Sequence, residues 1–120
     1  MQDMQVIIEI EGNDAVEEAT ILNDWLHESR INEVKTIKQE EMPPKPGEQG
    51  PTLLAILTVV LGSKAIVELV RSIHHYIDAQ AQNKKSTVTV KLKGGSIKIE
   101  STNLPPLSEL INLVKSQEGD

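Results

Sequence analysis

Three histidines, 18 acidic residues and no cysteine bound what this 120-residue chain could catalyse. His74 and His75 are adjacent, so on a helix their side chains diverge by about 100° and cannot share a metal ion. His27 has Asp24 and Glu28 nearby, but a metal there needs further ligands brought by the fold. The absence of cysteine removes disulfides, thiol catalysis and thiolate metal sites together. No serine stands in a G-x-S-x-G elbow. No G-x-x-x-x-G-K-[ST] phosphate cradle is present, and Gly94-Gly95 reads as a turn. The expectation is a chain with no catalytic centre, metal or cofactor. An enzyme built on Asp24, His27 and Glu28 is the competing class.

The formal net charge of −6 argues against a general nucleic-acid binder, which needs a basic surface to displace counterions. The charge is unevenly placed: residues 1–50 hold 12 acids and 4 bases, residues 51–120 hold 6 acids and 8 bases. Lys84, Lys85, Lys91, Lys93 and Lys98 follow one another with no acid among them. The only large aromatics are Trp25 and Tyr76, too few for the usual small-molecule pocket. Protein–protein interaction is the class that survives. The start, MQDMQVIIEIEG, lacks the basic first segment of a secretion signal, and the expected location is the cytoplasm.

Around these residues the hydrophobic pattern sets the elements. In MQVIIEIE (4–11), Val6, Ile8 and Ile10 share one face of a strand. Asp14 and Glu17 have the spacing of a capping box for a helix from Ala15 to about Ser29. Ala19, Leu22, Trp25 and Leu26 are its apolar stripe; Glu17, Glu18, Asp24 and Glu28 are its wet side. A weaker strand over 32–39 completes a βαβ unit. Four prolines and two glycines make residues 40–51 a loop.

LLAILTVVLG (53–62) is the apolar extreme of the chain. A membrane span needs about 20 such residues, and this run stops at Gly62-Ser63-Lys64. We read it as a helix buried on all sides, with an interface buried by a partner, or a small membrane-associated regulator anchored by 53–62, as the alternatives. Beyond it Ile66, Leu69, Val70, Ile73 and Ile77 make the stripe of an amphipathic helix. Lys64, Glu68, Arg71, His75 and Asp78 take its other side.

Residues 86–101 form a hairpin turning at Gly94-Gly95. That turn sets Val90 opposite Ile99 and Lys91 opposite Lys98, with one face apolar and the other basic. A last helix opens at Pro106 with Leu107, Leu110, Ile111 and Val114 on one stripe, and 116–120 read as a frayed tail. The fold class is α+β in a single domain over 1–120. The expected order is β-α-β-α-α-β-β-α, a mixed sheet of about four strands packed against helices.

Read together, I21-L22-N23-D24-W25-L26, Arg30, the loop P43-P44-K45-P46-G47-E48-Q49-G50, L61-G62 and the closing G-G-x-I hairpin form a series. It resembles the first family of effector-associated constant component domains, small proteins of bacterial conflict (immunity-type) systems. The resemblance covers roughly residues 5 to 115. Trp25, Leu26, Arg30, Pro46, Gly47, Glu48, Gly50 and Gly62 match its motif. It implies a non-catalytic adaptor coupling an effector to a sensor, with a peptidase- or NTPase-linked protein partner. Arg30 and Glu48 are the matching positions polar enough for contact with that partner. From the residues themselves, Lys91, Lys93 and Lys98 make a second candidate surface, facing an acidic partner or the first helix of another copy in a homo-oligomer.

Overall fold

A computed structural model describes residues 3–12, 14–42, 53–79, 87–92, 95–100 and 105–118. The alternating start forms β1 (Asp3–Gly12), followed by α1 (Ala15–Ser29) and β2 (Val34–Met42). Next come β3 (Leu53–Gly62), a single 3₁₀ turn (Ser63–Ala65) and α2 (Ile66–Ala79). The hairpin β4 (Thr87–Leu92) and β5 (Gly95–Glu100) precedes α3 (Leu107–Glu118). The five strands join in the order β2-β3-β1-β4-β5. Every neighbouring pair is antiparallel.

The α+β class holds, and its largest revision is residues 53–62. They are a strand, not a helix, which makes the sheet five-stranded and antiparallel rather than four-stranded and mixed. A short apolar run does not reveal its period, and here the β-branched Ile56, Thr58, Val59 and Val60 fit a pleated surface. β3 lies between β1 and β2. The βαβ unit is therefore split, its two strands parallel but separated by β3. The core reading of the run stands: Ala55, Leu57, Val59 and Leu61 are fully buried. Burial of each large aliphatic stabilises by roughly 1.5–3 kcal/mol.

These residues share one face of the sheet with Val6, Ile8, Ile10, Val88, Val90, Ile97 and Ile99, all buried. The helices cover that face. α1 packs on β3, β1 and β2, and α2 on α1 and α3. Leu22 and Leu26 of α1, Leu69 and Ile73 of α2, and Leu110 and Val114 of α3 close the core.

Four smaller expectations change. Asp14 makes no side-chain cap, so the capping box does not form. Glu18 is buried rather than on the wet side of α1. β2 continues through Glu40 and Glu41 to Met42, and α3 through the expected tail to Glu118. The proline-rich segment 43–51 lies outside the described residues.

The hairpin forms where expected and pairs with β1, but its register differs by two residues. Leu92 pairs with Gly95, so Val90 faces Ile97 and Lys91 faces Ser96. A shift of two preserves which side chains face the core.

Candidate functional site

The helical side is held by a network that starts at Trp25. Its indole N–H donates to the Ser72 carbonyl at 3.1 Å and to the Ser72 hydroxyl at 3.0 Å. The Ser29 hydroxyl donates to the Trp25 carbonyl at 2.8 Å and lies 2.9 Å from the Ser72 hydroxyl. Trp25 also meets Tyr76 edge-on, with ring centroids 5.9 Å apart. The Tyr76 hydroxyl donates to the Glu18 carbonyl at 3.4 Å. Burial, and then the Glu18 charge, push the Tyr76 phenol up from 10.0 to about 12. Trp25, matched by the family motif, is thus the clamp between α1 and α2.

One residue beyond Ser29 the character reverses. α1 ends at Arg30, which caps it in the left-handed conformation (φ 50°, ψ 50°) and donates its N–H to the His27 carbonyl. Glu33 also has positive φ, at 69°. Such backbone is costly for residues other than glycine, and is often found at functional sites. The Gly62 N–H at the end of β3 donates to the Glu33 carbonyl at 2.9 Å, tying this turn to the start of α2.

Together they border a half-open cavity of about 370 Å³ lined by Ser29, Arg30, Ile31, Asn32, Glu33, Lys64, Ala65 and Glu68. Arg30 and Lys64 are exposed, and neither side chain has an ion-pair partner among the described residues. Glu68 is held by Arg71 at 2.7 Å. With only Ile31 and Ala65 apolar and no aromatic, the lining differs from the usual small-molecule pocket. It suits a polar segment of another protein, with Arg30 offering a planar fork for a carboxylate.

Gly62 has a specific reason to be glycine, and backbone freedom is not it, because its φ is −71°. A Cβ there would collide with the Glu33 carboxylate and crowd the Glu33 Cβ, at 3.2 Å. Two motif positions far apart in sequence, Arg30 and Gly62, therefore shape one corner. Sequence reasoning missed Glu33 and Lys64, because two segments distant in the chain, 29–33 and 64–68, build that corner. Positive φ at two non-glycine residues carries no sequence signal.

The other face of the sheet is overlaid by no described element. A strip of half-buried Ile7, Ile56, Thr58 and Val60 runs along its middle. Among the described side chains, Lys38, Lys91 and Lys98 flank it on this face with Glu9, Glu11 and Glu40, and Asp3 stands at its end paired with Lys35 at 3.2 Å. The basic face expected of the hairpin is thus part of a wider face that carries acids as well. Lys91 does not oppose Lys98; it reaches diagonally to Glu9 at 2.7 Å, and Lys98 faces Thr89. The register shift removes the like-charge contact. Lys93 and Glu48 lie outside the described residues.

Asp24, His27 and Glu28 all lie exposed on α1. No group of three or more His, Asp or Glu positioned for a metal occurs among the described residues. His74 lies 2.9 Å from the Pro105 carbonyl through Nε2, which ties α2 to the start of α3. No described helix is long and apolar enough to cross a membrane.

Among solved structures, the chain is similar to CPII, a nitrogen regulatory PII-like protein from Thiomonas intermedia K12, bound to ADP, AMP and bicarbonate. Identity is 12% and the TM-score 0.47, over 88% of this chain and 98% of that one. The same protein bound to ADP, AMP and acetate gives 14% and 0.44, over 82% and 92%. A phage SAM lyase in complex with S-methyl-5'-thioadenosine gives 6% and 0.34, over 83% and 92%. No curated protein matches the sequence. A family model described as Effector Associated Constant Component 1 matches residues 11–117, nearly the whole chain. The chain belongs to the Effector Associated Constant Component 1 family.

Proposed function

We propose that this chain is a non-catalytic adaptor that couples an effector to a sensor in a bacterial conflict system, docking its partner at the Arg30 corner. The observation that carries the reading is one polar cavity lined by Arg30, Glu33 and Lys64, with Gly62 packed against Glu33 beside it. Arg30 holds an exposed guanidinium with no ion-pair partner among the described residues, on left-handed backbone there. In a family associated with effectors, such a guanidinium on costly backbone is best explained by a contact made outside the chain. The partner surface should present a carboxylate to Arg30 and Lys64, with a donor for Glu33. The enzyme alternative gains no support from geometry, since Asp24, His27 and Glu28 face solvent on one helix.

The test is co-expression with the peptidase-like or NTPase-like product of an adjacent gene. The expected result is co-purification at fixed stoichiometry, lost in Arg30→Ala and in Lys64→Glu while the fold is retained. Capture unaffected by both substitutions would place docking elsewhere. Turnover of a substrate by the isolated chain would overturn the non-catalytic reading.

A further inference from the structure

β3 contradicts its own surroundings. A strand covered on one face alternates apolar and polar residues, whereas one covered on both reads as a continuous apolar run. LLAILTVVLG is of the second kind. Yet only the side of Ala55, Leu57, Val59 and Leu61 is fully buried, and Ile56, Thr58 and Val60 stay half-buried on the bare face. Ile7 of β1, directly opposite Thr58, extends the strip.

We propose that the bare face of the sheet is a self-association surface, and that a second copy of this chain covers it, sheet against sheet. Charge selects that occupant. Two copies of a chain with net charge −6 repel one another. The helical side adds to the repulsion through exposed Glu17, Asp24, Glu28 and Asp78. On the sheet face, by contrast, Glu9, Glu11 and Glu40 stand against Lys38, Lys91 and Lys98, and Asp3 is ion-paired with Lys35, so the described side chains there come close to balance. A face carrying both signs in near balance can complement itself about a two-fold axis, as an isologous contact requires. A strongly basic or acidic partner would gain nothing from such balance.

Area agrees. Five strands about 4.8 Å apart span roughly 24 Å, and six to ten residues at about 3.3 Å each give roughly 20–33 Å of length. That footprint approaches the ~800 Å² per partner of a stable interface. The two sheets would stack about 10 Å apart, as in a β-sandwich. The Arg30 corner, built from turns beyond the strand ends, takes no part in the contact.

Sedimentation of the isolated chain tests this without any effector. The expected result is a dimer at tens of micromolar that dissociates at least tenfold more readily in Ile56→Lys and is unchanged in Glu28→Lys. Because the chain has no cysteine, Thr58→Cys supplies a second measurement that stands even if Ile56→Lys fails to fold. Under mild oxidation it should form a disulfide-linked dimer faster than Glu28→Cys. A wild-type monomer at 100 μM, a dimer that survives a folded Ile56→Lys, or equal cross-linking at both cysteines would each overturn the proposal. So would an effector found covering the strip on an otherwise monomeric chain.

Discussion

Ser29 and Arg30 are neighbours in the chain and belong to opposite kinds of structure. Ser29 completes a seam in which the Trp25 indole, its carbonyl and both serine hydroxyls are hydrogen-bonded. Arg30 opens a corner where two residues carry positive φ and two cations have no ion pair among the described residues. The seam satisfies its polar groups within the chain, as buried polar groups must be. The corner leaves charge and backbone strain unspent. The contrast separates motif residues that hold the fold, such as Trp25, from those available to a partner, such as Arg30.

The largest expected effect is on the seam. Trp25→Ala removes the aromatic contact with Tyr76 and the bonds to Ser72, and should cost about 3 kcal/mol in urea unfolding. Ser72→Ala keeps the carbonyl acceptor and should cost about 1 kcal/mol. A loss below about 1 kcal/mol in Trp25→Ala would mean the seam is not what joins α1 to α2.

Alkaline pH probes the same seam. The Tyr76 pKa is raised from 10.0 to about 12 in the folded chain, so the folded state holds the proton that the unfolded state has lost. The contribution is fully present below pH 10 and is lost as pH rises from about 10 to about 12. At 1.36 kcal/mol per unit this amounts to roughly 2–3 kcal/mol. Tyr76→Phe should flatten that part of the stability–pH curve; an identical decline in the variant would assign it to other groups.

At the corner the stability effects shrink. Gly62→Ala pushes aside the exposed Glu33 carboxylate, which can swing away, and presses on the Glu33 Cβ at 3.2 Å, which the turn must yield to slightly. The cost should stay under about 1 kcal/mol, well below core damage. Partner binding should nonetheless weaken, because the cavity loses its acidic wall. A cost above about 3 kcal/mol would make Gly62 a packing residue only.

How much of this could be read beforehand follows from periodicity. β1, α1, α2 and the hairpin each bury one face, and their spacing shows it. β3 carries apolar side chains on both faces, so neither period stands out; the segment looked helical. The hairpin register slipped because both glycines were assigned to the turn, whereas Gly95 already pairs with Leu92. Arg30 was singled out by the family resemblance, but not what surrounds it. Glu33 shares its turn, and Lys64 is brought beside it across the Gly62 hydrogen bond that joins that turn to the end of β3. Likewise the hairpin alone offers Lys91 only Lys98 across the turn, whereas its partner, Glu9, sits on a strand some 80 residues away.

Arg30→Gly tests the central claim most directly, because it separates structure from docking in one protein. Glycine adopts the left-handed cap without strain, so the substitution should leave stability unchanged or raise it by up to about 1 kcal/mol. If the corner exists for a partner, the same substitution abolishes co-purification with the effector or sensor. A variant that is at least as stable as wild type and no longer binds is the predicted result. A variant that binds as wild type does would contradict the account, leaving Arg30 as a helix cap and nothing more.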